Sequence, residues 1–299
     1  MKKNPKVLVI VGPTASGKTS LSVELAKEFG GEVVSADSRQ VYKRLDLGSG
    51  KVTTEEMGGV PHHLLDVAEP SEVYTASDFK RDGQKAIKEI AERSKLPIIA
   101  GGTFFYVDVL LGRLSTPEVA PNGKLRKELE SKSIEELIAQ LYELDPVRLE
   151  SIDRKNPRRL VRAIEVATTL GRVPETKVSE PYDTYTIGID IDQRALQRNI
   201  HLRLLERLDA GMVSEVERLL TPHEIAHERL EDLGLEYRYI SRYLRHELTY
   251  EEMISELETK IRQFAKRQMT WLKRDQSIHW YKKEEINDIK SAVQNWLEN

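Results

Sequence analysis

Residues Gly12-Pro13-Thr14-Ala15-Ser16-Gly17-Lys18-Thr19 fit the pattern G-x-x-x-x-G-K-[ST] without a gap, and no other feature narrows the possible folds of this chain so far. Before them, Val7-Leu8-Val9-Ile10-Val11 is a short β-branched run that reads as a buried strand; after them, Ser20 to Phe29 places Leu21, Leu25 and Phe29 at helical spacing. Strand, glycine loop and helix in that order predict a phosphate-binding loop. Glycines let backbone N–H groups converge on an oxyanion, and the helix N-terminus adds partial positive charge. In such a loop Lys18 reaches the outer phosphate oxygens and the Thr19 hydroxyl ligates Mg²⁺. The pattern predicts a polyphosphate ligand without saying which one; the alternative is a plain glycine turn before a helix.

The rest of the first third supports an α/β protein. Glu32 to Ser35 reads as a second strand, Phe79 to Arg93 as a helix, and Leu96 to Ala100 as a third strand ending at Gly101-Gly102. Strands separated by helices imply a parallel sheet with right-handed crossovers and helices on both faces, of the P-loop NTPase kind. Ligands of such sheets collect beyond the carboxyl ends of the strands, which puts the glycine loop, Asp37 and Thr103 at one rim. From Lys124 to Leu170 the chain reads as consecutive helices, with a capping box at Ser133-Ile134-Glu135-Glu136 and a helix start at Asp145-Pro146. Strand character returns over Tyr185 to Ile191. The expected division is residues 1–115 as the first part of the α/β core, 116–198 as an all-helical insertion, and 199–299 as the rest of the core, helical apart from a short strand at Ser277 to Tyr281.

A chain of 299 residues, 39% hydrophobic, can bury a full core. It has no apolar run long enough to span a membrane and no signal-peptide pattern, so a cytoplasmic protein is expected. With zero cysteines it has no disulfide, thiolate zinc site or cysteine nucleophile. A net charge of −3 hides two runs free of acids: Arg154 to Arg162, with Arg154, Lys155, Arg158, Arg159 and Arg162, and Lys260 to Arg274. Such a run is ordinarily a solvated helix face; two of them point toward a phosphate-rich polymer as partner.

Asp37 lies just after the second strand, in Asp37-Ser38-Arg39-Gln40-Val41-Tyr42. A carboxylate there could take a proton from an incoming nucleophile, or it could cap a turn. Ser38, Arg39 and Gln40 suit the reading of a base edge. Thr103 could bond a phosphate oxygen or a substrate amine, or cap the following helix. No acidic residue stands at Gly101-Gly102-Thr103 where an ordinary NTPase often carries one, which weakens plain ATP hydrolysis. Adjacent His62 and His63 on an extended segment point to opposite faces and chelate one ion poorly. Trp271, Trp280 and Trp296 read as core or interface residues.

With these residues in hand, the chain resembles the bacterial tRNA dimethylallyltransferases nearly end to end. The resemblance rests on residues 12–19, Asp37 to Tyr42, Pro61-His62-His63-Leu64, Gly101-Gly102-Thr103 with Tyr106, Asn156 to Ala163, Gly211 to Val216 and Ala265 to Trp271. It implies transfer of a dimethylallyl group from dimethylallyl diphosphate to N6 of the adenosine immediately 3′ of the anticodon, with release of diphosphate. By the resemblance, Asp37 is the general base, Thr103 helps hold the amine, and Gly12, Pro13, Thr14, Ala15, Ser16, Gly17, Lys18 and Thr19, with Mg²⁺ on Thr19, hold the diphosphate. Asp37, Ser38, Arg39, Gln40, Thr103, Arg126, Arg158, Arg159, Leu160, Val161 and Arg162 are then the tRNA contacts, and the enzyme is a monomer. Arg203 or Arg207 supplies a further diphosphate contact.

Two departures stand out. Leu233-Gly234-Leu235-Glu236-Tyr237-Arg238 replaces a Gly-Tyr-Lys-Glu stretch, leaving Arg238 as a substitute for the lysine. Phe104-Phe105 follows Gly101-Gly102-Thr103 where smaller residues are common, which would narrow an isoprenoid tunnel. The rival readings are an isopentenyltransferase acting on free adenylate, a small-molecule P-loop kinase and a nucleotide-gated RNA-binding module. The basic insertion argues against the first, its domain size against the second and Asp37 against the third.

Overall fold

Val7, Val9 and Val11 turn to one face of the central strand β1 (Lys6–Val11), Leu8 and Ile10 turn to the other, and both sets are buried. A near-continuous apolar strand of this kind belongs in the middle of a parallel sheet covered by helices on both sides. The computed structural model describes residues 4–117, 119–175, 178–221 and 225–299. After β1 come α1 (Lys18–Phe29), β2 (Gly31–Ser35), α2 (Thr54–Met57), β3 (His62–His63), α3 (Ala76–Glu92), β4 (Leu96–Ala100) and α4 (Phe104–Leu110). A run of helices follows, α5 (Gly123–Glu130), α6 (Ile134–Leu144), α7 (Pro146–Ser151) and α8 (Pro157–Leu170), and then β5 (Asp183–Ile189). The chain ends with α9 (Gln193–Asp209), α10 (Met212–Leu220), α11 (His227–Leu233), α12 (Leu235–Leu244), α13 (Tyr250–Leu272), β6 (Ile278–Tyr281) and α14 (Ile286–Glu298).

Among the described residues the six strands form one sheet in the order β3-β2-β4-β1-β5-β6, and every pairing is parallel. One face packs on α3, α4 and the end of α13 through Phe79, Ile87, Val107, Leu110 and Leu272. The other packs on α1 and α14 through Leu21, Leu25, Ile289 and Val293. A third cluster joins α9 to α13 through Leu204, Met212, Leu230, Ile240 and Leu257, and takes in Val41 and Leu45 from the segment after β2. The expected parallel α/β core with helices on both faces is what the chain forms.

Two compact units result: a core unit, Met1–Gly112 with Ser179–Asn299, and a helical unit, Arg113–Val178. The expected insertion of residues 116–198 is therefore too long at its far end. β5 pairs with β1 from Lys6↔Asp183 to Val11↔Gly188, so it is part of the central sheet, and α9 runs on unbroken into the third cluster. The helical unit has its own core of Leu129, Leu137, Leu141, Leu149, Leu160 and Ile164. Its helices start as the sequence indicates: Ser133 and Glu136 form the capping box of α6, and Asp145 caps α7 ahead of Pro146.

Candidate functional site

The glycine loop runs from the carboxyl end of β1 into α1. Ala15 and Gly17 both take positive φ, 61° and 93°; the Thr14 and Ser16 N–H groups are bonded to Gln268 and to the Pro13 carbonyl, and those of Ala15 and Gly17 are left for an anion. Gly17 is the N-cap of α1 and supplies no side-chain cap, so first-turn N–H groups are left for a ligand. The Ser16 hydroxyl is buried with no hydrogen-bond partner among the described residues. The Lys18 ammonium donates to the Pro13 carbonyl at 2.7 Å. Burial, reinforced by the charge of Arg203 and opposed by that of Asp37, lowers its pKa to about 7. An arriving anion reverses that cost, because it stabilises the charged amine.

Asp37 stands two residues past the end of β2, in a turn that explains its double reading. Its Oδ1 accepts from the Arg39 N–H at 2.8 Å and from the Gln40 N–H at 3.4 Å, so it does organise the turn. Its Oδ2 points toward Gly102, 3.9 Å from where a Cβ there would stand. Gly101 permits this close approach, since a Cβ on it would lie 2.2 Å from the Ala36 carbonyl oxygen. Thr103 is the N-cap of α4 without a side-chain cap bond. Its hydroxyl accepts from the Ser38 N–H at 3.0 Å and donates to Ser38 Oγ at 3.3 Å, pinning the Asp37 turn to the end of β4. Gln40 is held by Ser35 at 3.1 Å and by the Gly50 carbonyl at 3.1 Å. Arg39 reaches the Asp232 carbonyl at 3.3 Å.

A cavity of about 1120 Å³ opens over this rim, lined by residues 14–20, Asp37, Gln40, His62, Gly101, Gly102, one face of α9 and Gln268. Gln268 is the residue that sequence reasoning missed as a site residue. Its Oε1 accepts from the Thr14 N–H at 2.8 Å and its Nε2 donates to the Gly102 carbonyl at 2.8 Å, tying the glycine loop to the end of β4. It is 4% exposed. Its signal was register: Ile261, Ala265, Gln268 and Leu272 share the buried face of α13, so a polar side chain there needed partners. Arg198, Asn199 and Arg203 come from the cavity face of α9, and Asn199 donates to the Ala15 carbonyl at 3.2 Å.

Packing places Arg203 and Arg207 differently. Arg203 lines the cavity, whereas Arg207 donates to the Leu47 and Gly48 carbonyls and to Glu236 at 3.0 Å. Buried Glu215 accepts from the N–H groups of Asp46, Leu47 and Gly48 and from Tyr237, so the same loop is fastened from two sides. The two histidines diverge as expected: His62 lines the cavity, with Nδ1 on the Val60 carbonyl, and His63 bonds Glu32 at 2.7 Å. Arg238 does not replace a substrate-facing lysine; it pairs with Glu231 at 3.0 Å. Phe104 is buried in the core and Phe105 is 44% exposed, and neither lines the cavity.

The remaining candidates belong to the helical unit. Arg126 grips Glu165 through two bonds of 2.9 and 2.8 Å, and Arg162 bonds the same carboxylate and the Val119 carbonyl. Glu165 is fully buried; burial opposes its charge, but Arg126, the Asn122 N–H and Arg162 outweigh it and hold the pKa down at about 2. Leu160 and Val161 are core residues at 0% and 6% exposure, which corrects their selection as contact residues: α8 turns them inward. Arg158 and Arg159, immediately before them on α8, are exposed.

Fold and site together define a P-loop protein of the parallel α/β class, in which a phosphate loop and a carboxylate share one cavity. A family model described as IPP transferase matches residues 40–275. The tRNA dimethylallyltransferase of Pediococcus pentosaceus is 40% identical, covering 98% of this chain and 97% of its own length; the tRNA dimethylallyltransferase 2 of Shewanella sediminis is 43% identical over 93% of each. The full-length tRNA isopentenylpyrophosphate transferase of Bacillus halodurans superposes with a TM-score of 0.75 at 33% identity, covering 99% of this chain and 97% of that one. A eukaryotic dimethylallyltransferase acting on tRNA superposes at 0.79 with 26% identity, over 97% of this chain and 77% of its own. The chain belongs to the IPP transferase family.

Proposed function

We infer that this protein is a tRNA dimethylallyltransferase that prenylates N6 of the adenosine immediately 3′ of the anticodon. The observation that carries the inference is the Asp37 carboxylate beside a phosphate loop, in a chain that belongs to the IPP transferase family. N6 attacks C1 of dimethylallyl diphosphate; the C1–O bond breaks and its electron pair leaves with the diphosphate. The proton lost from N6 passes to Asp37, whose Oδ2 is free of the turn bonds that hold Oδ1. Lys18, Arg203 and the inward N–H groups of the loop meet the negative charge that develops on the leaving group. Thr103 keeps the Asp37 turn in place through Ser38.

Mg²⁺ fits this donor set. Thr19 is exposed on the cavity, and among the described residues no cluster of three acidic or histidine ligands is present. In a phosphate loop the Ser/Thr hydroxyl ligates Mg²⁺, with phosphate oxygens and waters among its other ligands. When bound, it neutralises charge on the departing diphosphate.

The target base must leave its stack to reach the cavity, which an anticodon loop allows at small cost. Exposed Arg158 and Arg159 suit phosphate contacts with the anticodon stem-loop, with Ser38, Arg39 and Gln40 at the base. The same reading has the enzyme act in the cytoplasm as a monomer. Among the described residues no helix is long and apolar enough to cross a membrane. Incubation with unmodified tRNA and labelled dimethylallyl diphosphate tests the reading: label at adenosine supports it, and label transferred only from the γ-phosphate of ATP replaces it with a kinase.

A further inference from the structure

Lys283 stands in the turn between β6 and α14, at the carboxyl end of the outermost strand. Its side chain lies along the glycine loop. A Cβ built on Gly17 would meet Lys283 Cδ at 3.4 Å, and Cε and Nζ at 3.6 Å each. Three successive atoms in van der Waals reach of one glycine mean that the lysine is draped over the loop rather than extended into water. It lines the same cavity as Lys18, Arg198 and Arg203. Among the described residues it has no salt-bridge partner, although Glu284 and Glu285 follow it directly; Glu285 instead accepts from the Lys282 N–H at 2.7 Å.

A cation placed against Gly17 sits at the start of α1, where the N-cap supplies no side-chain bond to the first-turn N–H groups. The chemical complement of that set is a phosphate oxygen. We propose that Lys283 is a second phosphate-contacting lysine of this cavity, reaching the diphosphate across Gly17 while Lys18 reaches it from the first turn of α1. Gly17 is needed for its positive φ of 93°, and the lysine stem passes it at ordinary contact distance. Because Lys283 arrives from the far end of the chain, it also couples the β6–α14 turn to ligand occupancy.

The proposal rests on the diphosphate reading above, and the test separates the two. Inorganic diphosphate is titrated into the full chain and into Lys283→Met, Lys283→Arg and Lys18→Met by calorimetry, with prenyl transfer measured in parallel. Lys283 is exposed, so folding is not at stake. The expected result is a loss of about tenfold in diphosphate affinity for Lys283→Met, as for one charge-assisted hydrogen bond. Lys283→Arg keeps most of the affinity, and KM for dimethylallyl diphosphate rises in Lys283→Met while KM for tRNA stays put. Equal affinity in Lys283→Met and the unaltered chain, with Lys18→Met impaired, overturns the proposal and leaves the function standing. Diphosphate binding that depends on Lys283 in a protein without prenyl transfer overturns the function and leaves the lysine's role standing. No diphosphate binding by the unaltered chain overturns both.

Discussion

Arg126 and Arg162 in the helical unit, and Lys18 and Arg203 in the core unit, are all cations set near a carboxylate. In the helical unit the acid, Glu165, is fully buried and takes hydrogen bonds from both arginines and from the Asn122 N–H. In the core unit Asp37 acts on Lys18 only through space, and among the described residues neither Lys18 nor Arg203 has a salt-bridge partner. The first arrangement satisfies its charges internally and so holds α5 to α8. The second leaves its cations without a bonded carboxylate at the wall of a cavity, where an anionic ligand completes it. Charge density alone does not distinguish a structural cluster from a site; what separates them is whether the partners are already present.

The largest effect that bears on this contrast is expected at Asp37. Asp37→Asn should lower kcat for prenyl transfer by about 10²–10⁴-fold, the usual worth of a general base, without weakening diphosphate binding. Near-normal turnover would move the base elsewhere and make Asp37 a turn residue only.

Glu165→Ala should destabilise the helical unit by about 1.5–3 kcal/mol, because two arginines, each about a third exposed, lose their shared partner. Acid should do the same more gradually. The Glu165 pKa is held down at about 2, against an ordinary 4.5, so its stabilisation is present above pH 4.5 and lost as pH falls from there toward 2. Acid titration followed by circular dichroism should show a loss in that window that Glu165→Gln abolishes; an unchanged profile would remove Glu165 from the unit's foundations.

Gln268→Leu should follow, with a loss of about 1–3 kcal/mol as the buried Thr14 N–H and Gly102 carbonyl go unpaired. Hydrogen exchange at Thr14 measures the loosening, and exchange no faster than in the unaltered chain would deny Gln268 its place in the loop. The smallest effect is expected from Arg158→Ala with Arg159→Ala. Its tRNA affinity should depend less steeply on salt, with the logarithmic slope reduced by about 0.7–0.9 for each phosphate no longer neutralised. An unchanged slope would leave the helical unit without a phosphate-binding role at these positions.

Much of the core was readable because local signals agreed with the global fold. The β-branched run before the loop, the spacing of Leu21 and Leu25, and the capping residues Ser133 and Asp145 each reported the element that formed. The far edge of the helical unit was not readable. Asp183 to Ile189 looks like a strand in either unit, and pairing with β1 decides which one owns it. Sequence spacing likewise could not show that Leu160 and Val161 turn inward while Arg158 and Arg159 do not, since that depends on what α8 packs against.

By itself the sequence determined the phosphate loop, the parallel α/β class and the family, because each is carried by contiguous residues whose local conformations are strongly constrained. Only the tertiary structure decided which polar groups are spent on the fold and which face the cavity. Arg203 faces it and Arg207 does not; Gln268 bridges from 254 residues along the chain to Thr14; and Lys283 lies over Gly17. The reason is physical: a hydrogen bond or a missing Cβ acts over a few ångströms, and those distances exist only after the chain has brought its ends together.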